Sequence, residues 1–220
     1  MSGPITIVGA GGLGREVLAA LVAAGDEVAG FLVEQGFAAG PVAGLPVRDD
    51  AESWSRAARV VVAIGDGRTR ARLVERLSGG RVTFPQVRHP AAMLGPRVAT
   101  GEGSMLIGPL SATVDASIGA HVLLNPGCTI AHDCRIAPFA SLGPGVALGG
   151  GVVVEEGANL GTGAVVAPRC RIGAWAVVGA GAVVIRDIPP GMTAAGVPAR
   201  PLRQPMPYLT CPSCGDVTPL

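Results

Sequence analysis

Among the three histidines of the chain, one is followed directly by a carboxylate. His132 and Asp133 stand in the stretch Asn125-Pro-Gly-Cys-Thr-Ile-Ala-His-Asp-Cys134. An imidazole, with an ordinary pKa of ~6.5, can take up a proton near neutral pH. A neighbouring carboxylate raises its basicity and fixes its tautomer. One reaction such a base can serve is the attack of an amine or hydroxyl on an acyl carbon, in which it accepts the nucleophile's proton. The plain alternative is a solvated surface histidine. Asn125 is a second polar residue in the same stretch. It puts a polar group shortly before His132, and an asparagine at such a corner can make local hydrogen bonds at a turn.

Two further patterns suggest binding. Gly9, Gly11 and Gly14 fit the dinucleotide fingerprint, and Glu34 lies twenty residues beyond Gly14. Read alone, that loop points to a nicotinamide-dependent dehydrogenase. The segment holding it has only ~86 residues, about half a full dinucleotide fold, so a mononucleotide or a glycan phosphate at the helix N-terminus fits better. Gly65 and Asp66 follow a later strand in the same way. Cys211 and Cys214 form one Cys-x-x-Cys knuckle. They supply two of the four ligands that a tetrahedral zinc requires, so a weak metal candidate and a simple tail both stay open.

The elements that must position these residues fall into two textures. Residues 1–86 read as α/β, with strands over 5–8, 28–33 and 60–64 and helices over 15–24 and 69–77. Strand, helix, strand in this order predicts a small, Rossmann-like parallel sheet. From about residue 96 no helix signal appears for some ninety residues. Every sixth residue from Ile118 to Val184 is Ile, Leu or Val, twelve in succession. Four after each stands a small or β-branched residue, among them Cys128, Cys134 and Cys170. This is an internal repeat. Six residues make a short strand and a corner, with one aliphatic and one small side chain filling a narrow interior. Leu106 and Ala112 extend the phase backwards. Val98 fits it only with a two-residue insertion, so the repeat is expected to start near there. Pro189 and Pro190 end strand pairing. The boundaries expected are 1–86, 87–200 and a tail over 201–220.

Bulk properties exclude several classes. Hydrophobic residues make up 49% of the 220, too many for a disordered chain. No run of ~18 apolar residues predicts a membrane span. A net charge of +1 gives no field to draw in nucleic acid. Five Cys without framework spacing and no basic leader point to the cytoplasm. The 34 Gly and 3% aromatics suit a core too narrow for rings.

On these motifs the chain resembles the hexapeptide-repeat acyltransferases, and over 1–200 the sialic acid and bacillosamine-type sugar O- and N-acetyltransferases. Three stretches carry the resemblance: Ile7-Val-Gly-Ala-Gly-Gly-Leu-Gly-Arg-Glu-Val17, the His132-Asp133 stretch, and Val178-Gly-Ala-Gly-Ala-Val-Val-Ile-Arg-Asp-Ile-Pro189. The resemblance implies a left-handed parallel β-helix, a homotrimer with sites between subunits, and acetyl-CoA or another acyl-CoA as co-substrate. It implies His132 as base, Asp133 as its support and Asn125 as a lining residue. It places the CoA arm along Gly150, Gly161, Thr162, Gly179 and Ala180, and a CoA phosphate near Arg186. The same glycines also serve to build the coil, and Arg186 can equally be a solvated charge. It makes the N-terminal domain the acceptor site, through Gly11, Gly12, Leu13, Val33, Gly65 and Asp66, with Arg70 close by. Three positions depart from the family pattern. Leu13 and Ser141 stand where the family has histidine, and Val33-Glu34 where it has an Asp pair. Ser141 would sit near the thioester.

The activity expected is acyl transfer to an amino or hydroxyl group of a sugar or related small molecule. Competing readings are a non-catalytic scaffold, motivated by Ser141 and Leu13, the dehydrogenase above, and a metal-dependent carbonic anhydrase. The last needs three histidines to meet, and His121 and His132 fall on different corners.

Overall fold

The computed structural model describes residues 3–38, 40–79, 82–202, 208–210 and 217–219. Its N-terminal part is a parallel sheet with helices. β1 (Ile5–Val8) lies between β2 (Val28–Leu32) and β4 (Val60–Val62), and β3 (Val47–Arg48) extends the edge beside β2. α1 (Gly12–Ala24) buries Val17, Leu18, Ala20 and Leu21. It ends where Gly25 takes φ 83°, and the Gly25 amide donates to the freed carbonyls of Leu21 and Val22. α2 (Ala51–Arg56) and α3 (Gly67–Ser78) start at Asp50 and Asp66, whose carboxylates accept from Ser53 and Thr69 amides at 2.7 Å. Of the glycine loop, Gly9 to Gly11 precede α1, and Gly12 to Gly14 form its first turn. β3 and α2, at two and six residues, are too short to leave a periodic signal.

The remainder is a parallel β-helix with three faces. Face I carries Val87–Arg88, Met105–Leu106, Leu123–Leu124, Ser141–Leu142, Asn159–Leu160, Val177–Val178 and Thr193–Ala195. Face II carries Ala92–Leu94, Leu110–Ala112, Thr129–Ile130, Ala147–Leu148, Val165–Val166 and Val183–Val184. Face III carries Ala99–Thr100, Ser117–Ile118, Arg135–Ile136, Val153–Val154 and Arg171–Ile172. Each strand pairs in parallel with the one eighteen residues on, as Ile130 does with Leu148 and Leu148 with Val166. The interior is the predicted pair of columns: Ile118 to Val184 on one side, and Cys128, Cys134, Ala140, Val146 and their successors on the other, all buried.

The start of the coil differs from the sequence expectation. It begins at Val87, and Thr100, Leu94 and Arg88 continue the register without any insertion. Val98 belongs to the small column, packed against the core. Thr100 hid the phase because a polar residue fits the open first coil, where its hydroxyl donates to Gln86 at 2.8 Å. At the other end Val177 pairs with Thr193, sixteen residues on, and Thr193–Ala195 turns antiparallel against Arg200–Pro201.

The three corners differ in kind. Between faces I and II the residue with positive φ is Gly127, Gly145, Gly163 or Gly181. Between II and III it is Arg97, Asp115, Asp133, Gly151 or Arg169. Between III and I it is Gly103, His121, Phe139, Gly157 or Trp175. The N-terminal domain covers face I. Ile5, Ile7, Val17 and Leu21 share one core with Val87, Met105, Ile107 and Leu123. Among the described residues no helix is long and apolar enough to cross a membrane.

Candidate active site

His132 stands on the II–III corner, where the chain leaves Ile130 and turns towards Arg135. Asp133 takes φ 60°, a conformation that Asp tolerates better than most residues. This folds its carboxylate back on the preceding ring, with His132 Nδ1 and Asp133 Oδ2 at 2.8 Å. An ionised carboxylate can only accept, so the contact favours a proton on Nδ1 and leaves the Nε2 lone pair free. One coil on, Gly150 occupies the stacked position. A Cβ there would lie 2.5 Å from both Cε1 and Nε2 of His132. The missing side chain is what lets the imidazole lie along the coil edge. Both partners are open to solvent in a single copy, at 64% and 67% side-chain exposure. Arg186, exposed, occupies the same corner three coils further on, about 14 Å away at ~4.8 Å per coil.

The other expected donor-side residues lie on the I–II corner, across face II from His132. Asn125 donates from its side-chain amide to the Leu142 carbonyl of the next coil at 2.7 Å. A Cβ on Gly161 would meet the Ala180 amide nitrogen at 2.6 Å, and one on Gly179 would meet the Ala195 Cβ at 2.9 Å. Close stacking of successive coils therefore accounts for those two glycines. Thr162 and Ala180 are exposed beside them.

The residues expected on the acceptor side gather at the carboxyl ends of β1, β2 and β4, the edge at which parallel α/β sheets receive ligands. Gly9 (φ 103°) and Gly14 make the tight turn, since a Cβ on Gly14 would lie 2.0 Å from the Gly9 carbonyl oxygen. Gly11 precedes α1 without any side-chain cap, Gly12 opens the helix, and Leu13 packs against the shared core. Val33 follows β2, donating to Arg48 O at 2.9 Å and accepting from Trp54 Nε1 at 3.1 Å. Gly65 and Asp66 follow β4. The sheet has four strands, short of the six of the doubly wound core that the dehydrogenase reading requires.

Ser141 does not stand on an open surface. It is buried on face I, where its hydroxyl accepts from Arg70 Nη2 at 2.9 Å and donates to Gly65 O at 3.0 Å. Within this chain it offers no free group to a thioester. His121 is buried at the III–I corner, with Phe84 edge-on at 4.9 Å and Phe139 stacked at 5.2 Å. Burial, and secondarily the Arg70 charge, hold its pKa down to about 4. The two histidines sit on different corners, and His121 is enclosed by Phe84 and Phe139. Among the described residues no group of three or more His, Cys, Asp and Glu could hold a metal ion. Cys211 and Cys214 lie outside the described residues. Cys128 and Cys134 are core residues whose thiols burial pushes up, Cys128 to about 11.

The structure brings His132, Asp133, Gly150 and Arg186 to one corner, and Gly11, Gly12, Leu13, Val33, Gly65 and Asp66 to one sheet edge. It does not bring these two groups together within a single copy. The sequence reading placed Arg70 near the acceptor but missed its linking role. The signal was present: Arg70 falls in the buried stripe of α3 with Leu73, Val74 and Leu77, where an apolar residue belongs.

Residues 4–77 match the PglD N-terminal domain, and residues 151–186 match the bacterial transferase hexapeptide of six repeats. A search of curated protein sequences returns no match. Among solved structures, a histidine-to-asparagine variant of perosamine N-acetyltransferase from Caulobacter crescentus, in complex with CoA and GDP-perosamine, superposes with a TM-score of 0.88 at 36% identity, covering 92% of this chain and 98% of that one. The acetyltransferase domain of PglB from Neisseria gonorrhoeae, in complex with acetyl coenzyme A, gives 0.85 at 30% identity, covering 92% and 100%. WeeI from Acinetobacter baumannii gives 0.83 at 32%, covering 90% and 99%. With more than a third of its residues shared along almost the whole length of such a relative, and with the same N-terminal domain joined to the same repeat, this chain belongs to the hexapeptide-repeat acyltransferases of the PglD type.

Proposed function

We propose that the protein transfers the acetyl group of acetyl-CoA to the amino group of a nucleotide-linked amino sugar, with His132 as general base. The observation that carries this is the His132–Asp133 pair at 2.8 Å with Nε2 unblocked beside Gly150. Support for the substrates comes from the relatives: GDP-perosamine and CoA are bound by the Caulobacter protein and acetyl coenzyme A by the Neisseria domain.

In the mechanism, the acceptor amine attacks the thioester carbon and forms the C–N bond. His132 Nε2 takes the proton the nitrogen sheds, and Asp133 stabilises the imidazolium that results. Collapse breaks the C–S bond, and the departing thiolate recovers a proton from His132. Arg186 serves a CoA phosphate further along the same corner. Gly161, Thr162, Gly179, Ala180 and Asn125 line the arm of a CoA lying between two copies. Gly11, Gly12, Leu13, Val33, Gly65 and Asp66 hold the acceptor.

The site is assembled in a homotrimer. Two observations favour this. An acyl transfer that excludes water needs a cover over the exposed His132–Asp133 pair. Face II and its flanks also expose aliphatic side chains, with Met93 at 65%, Val165 at 42%, Ile185 at 48% and Val197 at 74%.

Incubation with acetyl-CoA and a panel of nucleotide-linked amino and hydroxyl sugars, read by free thiol release and product mass, tests the reading. Acetylation of an amino sugar is expected, and His132→Gln should lower the rate by roughly 10²–10⁴. If the substituted enzyme kept its rate within about threefold, His132 would not be the base. If no sugar accepted acetyl, the non-catalytic scaffold would replace this reading.

A further inference from the structure

Arg70 is a charged side chain that the mechanism leaves unused and the fold hides completely. It is 0% exposed and, among the described residues, forms no ion pair with a carboxylate. Burial lowers its pKa to about 10, against an opposing effect of the Asp66 charge. The guanidinium is satisfied by neutral oxygens on both sides of the domain junction. Nη1 donates to the carbonyls of Ile64 at 2.5 Å and Gly65 at 3.1 Å. Nε donates to His121 O at 2.9 Å, and Nη2 to Phe139 O at 2.6 Å, Ala140 O at 3.3 Å and Ser141 Oγ at 2.9 Å. Ser141 closes the loop by donating to Gly65 O at 3.0 Å.

A buried cation without a counter-charge is costly, and an apolar residue of similar volume would pack the junction more cheaply. What Arg provides is a rigid planar fork that holds several acceptors at fixed relative positions, which neither Lys nor Met can reproduce. The acceptors it joins are the loop after β4 and the III–I corner of the coil. That loop contains Gly65 and Asp66, at the sheet edge assigned above to the sugar.

We propose that Arg70 and Ser141 form a positioning pair that fixes the loop of residues 64–66 against the β-helix and so sets where the acceptor is presented to the acetyl donor. The inference rests on the acceptor role given to that loop. Neither residue is expected to touch the reacting atoms.

The test uses the full-length protein with Arg70→Lys, which keeps the charge but loses the fork, and Ser141→Ala, which removes one hydroxyl and keeps Arg70. Steady-state kinetics on an amino-sugar substrate should show the acceptor KM raised roughly tenfold for Arg70→Lys and less for Ser141→Ala, with the acetyl-CoA KM within about twofold of wild type. Hydrogen exchange should quicken at the amides of residues 63–68 and not in α1. Equal shifts in both KM values, or unchanged exchange at 63–68 in both variants, would overturn the proposal. Should Arg70→Lys fail to fold, Ser141→Ala still decides through both readouts. Should the wild type accept no sugar, the functional reading fails, and hydrogen exchange alone decides whether the pair fixes the loop.

Discussion

A methyl group at position 150 would stand 2.5 Å from two atoms of the His132 ring. Gly150 is not at positive φ, so its backbone suits any residue, and the ring is the movable partner. Gly150→Ala should therefore fold normally yet displace the imidazole. A displacement of about 1 Å at a catalytic group can cost ~10² in rate. The expected result is kcat lowered by about that factor with an unchanged melting temperature, measured by turnover and thermal unfolding. At this scale the sequence was informative about chemistry and silent about neighbours. His132 and Asp133 could be paired because they are adjacent. The contact with Gly150 depends on the eighteen-residue stacking, which becomes usable only once three faces per turn are known. The surroundings of Ser141 are hidden in the sequence for a related reason. Its place on face I could be counted, but the cover over that face comes from a domain whose docking leaves no periodic trace.

At the scale of the element, the coil was largely legible because its interior imposes one rule at every sixth residue. The same rule explains the error at its start, where the interior is not yet closed and Thr100 breaks the pattern. The corners are harder to read, since positive φ is met by glycine on one edge, by charged residues and Gly151 on another, and by aromatic rings or glycine on the third. His121 shows what an aromatic corner implies. Its pKa is held down to about 4 in the folded state, chiefly by burial, against 6.5 as its ordinary value. The unfolded chain binds the extra proton, so the stability this group contributes is fully present above about pH 6.5 and is lost as pH falls towards 4. Between pH 7 and pH 5 the loss should be about 2 kcal/mol. Urea unfolding across that range would measure it, and His121→Phe, which keeps the ring stack, should flatten the dependence.

For the whole molecule, the shared core matters more than the domain boundary. Removing residues 1–86 to isolate a CoA-binding coil would uncover Met105, Ile107 and Leu123, which pack against Ile5, Ile7 and Val17. The modular appearance of the sequence, one texture followed by another, conceals this because the contacts span residues far apart in the chain. The open faces carry the prediction at this scale. Val165 lies on face II with 42% exposure, so Val165→Glu should leave each chain folded but place a charge in the proposed trimer contact. Sedimentation is expected to show three-chain mass for the wild type and single-chain mass for the variant, with acetylation lost alongside. A wild type of single-chain mass would remove the trimer from the account.

The pairing of each strand with the one eighteen residues on gives the coil two units of measure. Removing six residues preserves the interior alternation, so the core would not register the loss, yet everything downstream would rotate by one face. A deletion of that size between His132 and Arg186 would move the arginine to another edge. Removing eighteen would leave it on the same edge, merely one layer nearer. The packing constrains length modulo six, whereas the alignment along one edge constrains it modulo eighteen, and only the second of these keeps Arg186 in line with His132.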